Sequence, residues 1–403
     1  MSTLVTNRSR LRERINRLRY QTMPLLWALV PPTALRLLPG TSAQFGPPRR
    51  AARWTEFRQR PGVAWRRVFP ERVQVLPPPF FCNDPANALA RGREITWPEA
   101  GVAEIPDGRV LDENAWVVGP GDTFLGDFCF IGHNRQSRVY HILKLHPVQR
   151  LPGRTLNLCS AHAVTNFFHF VIDSISRVEL VRRAGYTWDD FDRILFPRFS
   201  SPMTEEIVDA VGVPRDKILR IGRREQFRCE RLIQPSFPGP LACTPSWVVE
   251  FYRQLFPPPP GPRTRRLYFP RRGNRHPSNE AELDAKLAAL GFETIDPVKT
   301  PDLRRRLGEA SHVVGVHGAS LANLVFCAPG TRVLELMPTE ISEHYNRWFY
   351  FTQCVGGGMP YGALIGRSRK QRLTSFSPQP KALFDLPPGD LDRALDALLE
   401  RAS

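Results

Sequence analysis

Short apolar runs alternate with amphipathic segments through the C-terminal third of the chain. The runs predicted as strands are RRLYF (265–269), FETI (292–295), HVVGV (312–316), RVLELM (332–337) and a stretch near Tyr361. The segments predicted as helices are 279–290, with Asn279 as N-cap and Glu282 completing a capping box, 301–310, a short helix from about Ala319, and Tyr345 to about Val355. Strands that alternate with helices of this length are typical of a parallel, doubly wound sheet.

The first part of the chain has a less regular pattern that still alternates. Its predicted elements are a long helix over 162–185 that Gly185 ends, strands at 192–197 and 217–221 around a helix at 203–211, and short strands and turns over 95–150. The proline run PPPPGP (257–262) is the predicted link between two α/β lobes. The predicted division is an irregular, basic, proline-rich arm (1–72), an N-terminal lobe (73–256) and a C-terminal lobe (263–403).

His317 and Gly318 stand between a predicted strand and a predicted helix, at the carboxyl end of a parallel strand. Ligands bind at that edge of open α/β sheets. The helix start offers free N–H groups and a partial positive charge, and Gly318 allows a ligand to approach the backbone closely. A phosphate or pyrophosphate is the ligand that this arrangement favours. The residues alone are equally compatible with a tight turn that contains an ordinary histidine.

Three other motifs near this turn fit less well. The sequence around Ser320 approaches the nucleophile elbow of α/β-hydrolases, but His344 follows Glu335 too closely to complete the triad. The glycines at 315 and 318 lack the spacing of a dinucleotide-binding fingerprint. The glycines at 356–358 precede no predicted helix and indicate a turn.

The net charge of +17 is concentrated in the N-terminal arm, which holds 15 arginines and three acidic residues within residues 1–72. A nucleic-acid-binding domain more often carries its charge on a folded face among aromatic residues, so no nucleic-acid partner is expected. Two readings remain for the arm: a solvated tail, or a segment attracted to anionic lipid or another polyanion.

The apolar stretch 20–35 contains three prolines and is too short to span a membrane. It also lacks the cleavage site expected of a signal peptide. The seven cysteines are widely spaced and form no C-x-x-C pair. This pattern indicates reduced, mostly buried thiols in a cytoplasmic protein.

Three segments together resemble glycosyltransferase family 61. They are VVGVHGASLANLVFCAPGTRVLELMP (313–338), NFFHFVIDSISRVELVRRAG (166–185), and RRLYFPRR with the downstream NEAEL (265–283). The resemblance covers about residues 155–365 and suggests a bacterial member. It implies a GT-B-like fold, in which two Rossmann-like lobes face each other across a cleft. It also implies inverting transfer of a hexose or pentose from a nucleotide donor, with a UDP-sugar expected, without metal or other cofactor.

The matched segments suggest which residues bind the donor. His317, Gly318 and Ala319 are expected to hold its pyrophosphate, Arg271 to pair with the same phosphates, and Glu335 to bind ribose hydroxyls. Asn323 is expected to support this loop. The full set expected on the donor side is His317, Gly318, Ala319, Arg271, Glu335, Asn323 and Asn166.

Asn166, His169 and Asp173 fall on one stripe of the predicted helix over 162–185. Inverting transfer needs a base for the acceptor hydroxyl, and Asp173, then His169, is the expected choice. A hydrogen-bond network between the lobes is the alternative reading. The D-x-D sequences at Asp190–Asp192 and Asp390–Asp392 are interpreted as solvated or capping acids, so no metal ligands are assigned.

The expected acceptor is a glycan or a lipid-linked sugar used in surface polysaccharide synthesis. The arm over residues 1–72 would then hold a cytoplasmic enzyme against the anionic inner face of the membrane. A non-catalytic module that binds a nucleotide or a polyanion is the alternative.

Overall fold

The structure is a computed structural model. It describes residues 43–45, 47–130, 132–133, 137–142, 144–272, 275–344, 347–369 and 383–400. Most of the basic arm and the start of the helix expected from Tyr345 therefore lie outside the described residues.

The strands, in chain order, are β1 Ala43–Phe45, β2 Arg50–Ala51, β3 Ala64–Phe69, β4 Arg72–Leu76, β5 Phe81–Cys82, β6 Arg93–Trp97, β7 Ala100–Leu111, β8 Trp116–Gly119, β9 Thr123–Phe124, β10 Lys144–Pro147, β11 Gln149–Asn157, β12 Arg193–Phe196, β13 Ile218–Arg220, β14 Gln226–Pro235, β15 Arg265–Phe269, β16 Phe292–Thr294, β17 Ala310–Val316, β18 Arg332–Pro338, β19 Tyr361–Ser368 and β20 Phe384–Asp385.

The α-helices are α1 Trp54–Phe57, α2 Phe167–Asp173, α3 Val178–Arg183, α4 Pro202–Val211, α5 Ser246–Leu255, α6 Glu280–Ala289, α7 Leu303–Gly308, α8 Thr339–Ser342, α9 Trp348–Gly356 and α10 Pro388–Leu399. The 3-10 helices are Ala88–Arg91, Gly126–Phe128, Arg138–His141, Ile175–Arg177, Trp188–Asp190, Arg215–Lys217 and Ala319–Phe326. Within the described part of the chain, none of the helices has both the length and the apolar composition that crossing a bilayer requires.

The C-terminal half forms a sheet in the order β16-β15-β17-β18-β19-β20, parallel except for β20. Alternate side chains enter different cores: Val314 and Leu334 pack with α6 and α10, whereas Val313 and Val333 face the opposite side. Both faces of the sheet are therefore covered, which confirms the predicted parallel α/β arrangement.

The other large sheet has the order β13-β12-β11-β14-β7-β8-β9-β2. Strands β11 to β14 are parallel to their neighbours, and β7 continues the sheet antiparallel to β14. Residues 50–69 are not an irregular arm, because β2 pairs with β9 and β3 pairs with β7. Trp54 and Phe57 of α1 pack on this sheet, so burial of these rings helps to hold the segment in the fold.

One continuous apolar cluster joins the two large sheets. It contains side chains from α2, α5 and α9, from the 3-10 helix Ala319–Phe326, and from strands of both sheets. Tyr252 of α5 also donates a hydrogen bond of 2.8 Å to the carbonyl of Val171 in α2. The link at 257–262 leads from α5 to β15 as predicted, but β5 crosses to the other sheet and pairs with β19.

The helix expected over 162–185 is broken in the structure. It divides into α2, the 3-10 turn Ile175–Arg177 and α3, with the break at Ser174. The Ser174 hydroxyl donates to the carbonyl of Leu158, and the Ser176 hydroxyl donates to Ile172, 2.5 Å away. Serine side chains that bond to main-chain carbonyls compete with regular helix geometry, which explains the break.

Two other local expectations also differ from the structure. The segment from Ala319 winds as a 3-10 helix rather than an α-helix. Asn279 stands at the N-cap of α6 without a side-chain capping bond, and its amide instead lies 3.4 Å from Glu282. The predicted capping box is therefore not formed.

Candidate functional site

The turn after β17 brings the backbone of His317 and Gly318 to the carboxyl edge of the C-terminal sheet, as predicted. The N–H of His317 donates to Leu336 at 2.9 Å, and Arg271 Nη1 donates to the carbonyl of His317 at 2.9 Å. A Cβ on Gly318 would overlap the Arg271 guanidinium. Glycine at this position leaves room for the Arg271 guanidinium to lie against the turn.

Glu335 orients His317 from inside the protein. Its Oε1 accepts a hydrogen bond from His317 Nδ1 at 2.5 Å, and its Oε2 accepts one from the Tyr361 hydroxyl at 2.6 Å. Glu335 is fully buried, so the expected contact with ribose hydroxyls is wrong for this geometry. The residue lies in the interior because its β18 side chain points into the core shared by the two sheets.

The His317 ring is buried, and this burial lowers its pKa. Glu335 acts in the opposite direction, while Arg275 and Arg271 add to the lowering. The neutral ring donates from Nδ1 to the carboxylate, which leaves Nε2 as a hydrogen-bond acceptor.

Arg275 is a second arginine at this edge that the sequence analysis did not single out. Burial lowers its pKa to about 10, and the nearby Arg271 adds to this effect. Its Nε atom is buried and finds no hydrogen-bond partner among the described residues. Two adjacent guanidinium groups repel each other, so an anion between them would lower the energy. The signal in the sequence was the run of arginines after β15.

Tyr350 of α9 is buried and contacts both His317 and Gly318. Its hydroxyl donates to the carbonyl of Gly318 at 2.6 Å, and its ring lies 5.4 Å from the His317 ring, centroid to centroid. Ala319 begins the 3-10 helix, in which the N–H of Leu321 returns to the carbonyl of Gly318 at 3.0 Å. The backbone turn at His317 and Gly318 thus has Arg271 on one side and Tyr350 on the other.

Asn323 and Asn166 have local roles that fix backbone turns. Asn323 is buried and donates to the carbonyl of Ser320 at 2.8 Å. Asn166 is the N-cap of α2, where its side chain accepts from the N–H of Phe168 at 2.9 Å. Neither contact brings these side chains to a donor, and their expected role in donor binding stays a prediction.

A second histidine–carboxylate pair lies on α2. His169 Nδ1 and Asp173 Oδ2 are 2.6 Å apart, and both residues are buried. The His169 ring lies 4.7 Å from Phe130 and 6.4 Å from Phe349, and a small cavity beside Asp173 is lined by these two phenylalanines. The pairing confirms that both side chains share one face of the helix.

Arg177 is a buried cation behind this pair and was also missed. It has no exposed surface, and it donates to the carbonyls of Cys159 at 2.6 Å and Pro235 at 3.5 Å. Burial lowers its pKa to about 10, while the charge of the nearby Asp173 acts in the opposite direction. Arg177 therefore links the carboxyl ends of β11 and β14 next to the His169–Asp173 pair. Its spacing of four residues from Asp173 was the available signal.

A layer of aromatic rings joins the two histidine–carboxylate pairs. Phe168 lies 4.5 Å from Phe349 and 5.8 Å from Tyr350, which in turn contacts His317. The His317–Gly318 turn, predicted at a carboxyl edge, and the His169–Asp173 pair, predicted on one helix face, thus lie on opposite sides of one aromatic layer.

The aspartates of both D-x-D sequences have structural partners. Asp190 caps the turn at Thr187, and Asp192 accepts from the N–H of Arg154 at 2.8 Å. Asp390 accepts from Asn83 at 2.9 Å, and Asp392 pairs with Lys286. Across the described ranges, no three His, Cys, Asp or Glu side chains form a group that could hold a metal ion.

We expect Glu335→Ala to destabilise the fold by about 3–5 kcal/mol, because it leaves His317 and Tyr361 buried without their shared partner. Tyr361→Phe removes one hydrogen bond and should cost about 1 kcal/mol. The control is Glu293→Ala, which breaks surface pairs with Arg265 and Arg306 and should cost under about 1 kcal/mol. Denaturant unfolding measures all three variants, and an equal loss in Glu335→Ala and Glu293→Ala would contradict the assignment.

Residues 167–334 match the family model described as Glycosyltransferase 61. The matched range begins at the first residue of α2 and ends on β18. It therefore contains the His169–Asp173 pair, Arg271 and Arg275, and the His317–Gly318 turn. No curated protein matches the chain. Residues 167–334 therefore belong to the glycosyltransferase 61 family.

Proposed function

We propose that this protein transfers a sugar from a nucleoside diphosphate donor, a UDP-sugar, to a hydroxyl group with inversion at the anomeric carbon. The observation that carries the proposal is the pair of arginines, Arg271 and Arg275, beside the His317–Gly318 turn. They lie one aromatic layer away from a buried His169–Asp173 pair. Family membership supports the transfer of a sugar; these contacts support the assignment of donor and acceptor sides.

The donor diphosphate lies at the carboxyl edge of the C-terminal sheet, between the guanidinium groups of Arg271 and Arg275. Negative charge develops on this group as the glycosidic bond to phosphate breaks, and cations held in fixed positions stabilise that charge. The neutral His317 ring, oriented by Glu335, accepts a hydrogen bond from the donor. These residues act without a divalent cation in the proposed reaction.

The donor sugar extends from the diphosphate past the aromatic layer, and the acceptor hydroxyl meets its anomeric carbon beside His169. Its oxygen forms a bond to the anomeric carbon while its proton passes to Nε2 of His169. The bond to the diphosphate oxygen breaks, and the electron pair leaves with that oxygen. Base and leaving group lie on opposite faces of the sugar, so the configuration inverts.

Asp173 acts through His169 in this mechanism. The sequence alone favoured Asp173 as the base, but its Oδ2 is bonded to His169 Nδ1. This bond holds the ring with Nε2 free to accept a proton and stabilises the imidazolium that forms. The positive charge of the nearby Arg177 stabilises the Asp173 carboxylate.

The proposed architecture is GT-B-like, with the N-terminal lobe binding the acceptor and the C-terminal lobe binding the donor. The acceptor is a glycan or a lipid-linked sugar of surface polysaccharide. The basic arm would bring the enzyme to the cytoplasmic face of an anionic membrane, where such acceptors lie.

We expect UDP to bind in the presence of EDTA, as measured by calorimetry. Arg275→Ala should weaken this binding about 10- to 100-fold, because a hydrogen bond between charged groups contributes about 1.5–3 kcal/mol. Arg272→Ala is the matched control, since Arg272 lies in the same loop but pairs with Glu280 and Asp284, and its change should be less than about twofold. Binding that requires magnesium or manganese, or equal losses in both variants, would count against this donor site.

A panel of nucleotide sugars screened for thermal stabilisation identifies the donor for kinetics. We then expect His169→Gln to lower kcat by about 10²–10⁴, the usual effect of losing a general base. Asp173→Asn keeps the shape of the side chain and should lower kcat less, with UDP affinity unchanged in both. Asp190→Asn, at an exposed cap, is the control. An inactive Asp173→Asn beside an active His169→Gln would make Asp173 the base instead.

Residues 1–42 should increase sedimentation with anionic vesicles, because they carry seven arginines and one glutamate. Each basic residue near such a surface contributes about 1 kcal/mol. Removal of residues 1–42 tests this more cleanly than removal of 1–72, which would also delete β2 and β3 from the sheet. Neutral vesicles and high salt are the controls. Equal sedimentation of the full-length and shortened proteins would disprove the attachment.

A further inference from the structure

His162 lies on the exposed turn between β11 and α2, in a backbone conformation that histidine rarely adopts. Its φ angle is 66°, in the left-handed region. The turn is held by its carbonyl, which accepts from the N–H groups of Thr165 at 3.1 Å and Asn166 at 3.0 Å. A non-glycine residue in this region costs about 1–3 kcal/mol, and such strain is concentrated at functional sites.

The ring of His162 lies next to the ring of His169. The two ring centroids are 5.3 Å apart, and His162 also meets the edge of Phe130 at 5.8 Å. The other neighbours of His169, Phe168 and Phe349, are buried, whereas His162 is exposed. The side of His169 that a hydroxyl group can approach is therefore the side that His162 borders.

Two further loops contribute partly exposed aromatic rings to the same rim. Phe130 follows the 3-10 turn Gly126–Phe128, and Phe237 follows β14, with 6.1 Å between their ring centroids. An apolar rim with a few polar atoms is typical of small-molecule sites. A sugar ring has the matching character, because its C–H faces are apolar and its edge carries hydroxyl groups.

His162 is neutral at physiological pH. Although part of the His162 side chain is exposed, the neighbouring rings shield the rest of it from water and lower its pKa to about 4, and the adjacent His169 and Arg138 act in the same direction. A neutral imidazole has one N–H donor and one nitrogen acceptor. Each sugar hydroxyl can likewise donate and accept, so His162 can bind two neighbouring hydroxyls at once.

We propose that His162 binds the acceptor, and that the acceptor group at this site is a sugar ring that packs on Phe130 and Phe237. This inference rests on the proposed transferase function and selects a glycan hydroxyl over a non-sugar alcohol as its substrate. The reacting hydroxyl lies at His169, and His162 holds the hydroxyl next to it.

The test compares His162→Asn and His162→Gly with wild-type enzyme. Both replacements accept the left-handed backbone, so the melting temperature should not fall. We expect the KM for a sugar acceptor to rise about tenfold or more, the effect of one lost hydrogen bond of about 1.4 kcal/mol. UDP affinity and hydrolysis of the donor by water should stay within about twofold. His312→Asn, at the far end of β17 from His317, is the matched control.

A second measurement does not require a known donor. Histidine-labelled protein saturated with UDP is titrated with methyl glycosides of glucose, galactose, mannose, xylose and N-acetylglucosamine. At least one glycoside should shift the NMR signals of His162 in wild type, and glycerol, the non-sugar control, should not.

The outcomes separate this inference from the function on which it depends. Wild-type protein that neither binds UDP nor hydrolyses any nucleotide sugar would contradict the transferase function itself. Normal UDP binding and hydrolysis together with an unchanged acceptor KM in His162→Gly would overturn the role of His162 alone. A response to glycerol equal to that to the glycosides would overturn the choice of a sugar ring.

Discussion

The packing of α2 against the 3-10 helix Ala319–Phe326 is the contact on which the site depends. The helix α2 follows β11 of one large sheet, and the 3-10 helix follows β17 of the other. The two helices meet inside the apolar cluster that joins both sheets. Because protein interiors are close-packed, this contact fixes the separation between the His169–Asp173 pair and the His317–Gly318 turn. A reaction between a donor on one side and an acceptor on the other needs that separation to be constant, since small misplacements of reacting groups cost large factors in rate.

Several buried polar groups of this shared core depend on specific partners. Glu335 uses one carboxylate oxygen for His317 and the other for Tyr361, and Arg177 binds carbonyls at two strand ends. Removing any of these partners would leave a buried polar group unpaired, which costs more than the bond contributes. The bond from His317 to Glu335 both satisfies the core and orients this histidine, so stability and the geometry of this side of the site depend on the same bond.

The sequence predicted the strands of the C-terminal sheet well, because strands covered on both faces read as continuous apolar runs. It placed His317, Gly318 and Arg271 at one edge for the same reason. It failed where the outcome depended on long-range contacts. Glu335 seemed available to a ligand, but its partner Tyr361 stands 26 residues further on. Ser174 broke a helix through a bond to Leu158, which periodicity cannot reveal.

The residues missed by the sequence analysis share a physical cause. Arg275 and His162 occupy turns, where no periodic pattern marks a side chain as buried or strained, and the helical spacing of Arg177 from Asp173 does not show that it is buried. Their importance appears only when burial and partners are known: a buried guanidinium nitrogen of Arg275 without a partner among the described residues, or a histidine in a left-handed turn. Sequence patterns therefore located the two edges of the site but not the loops that complete it.

The family match gives these loops a further meaning. It begins at residue 167, so it includes His169 and Asp173 but neither Phe130 nor His162, which border the exposed side of His169. The buried histidine–carboxylate pair to which we assign the proton transfer thus lies within the matched range, whereas His162 and Phe130, which we propose to contact the acceptor, lie outside it. Loops tolerate sequence change better than a packed core does, because fewer contacts constrain them. A division of this kind would let the chemistry stay fixed while the acceptor changes, and under the proposed function the turn at His162 is where the acceptor is selected.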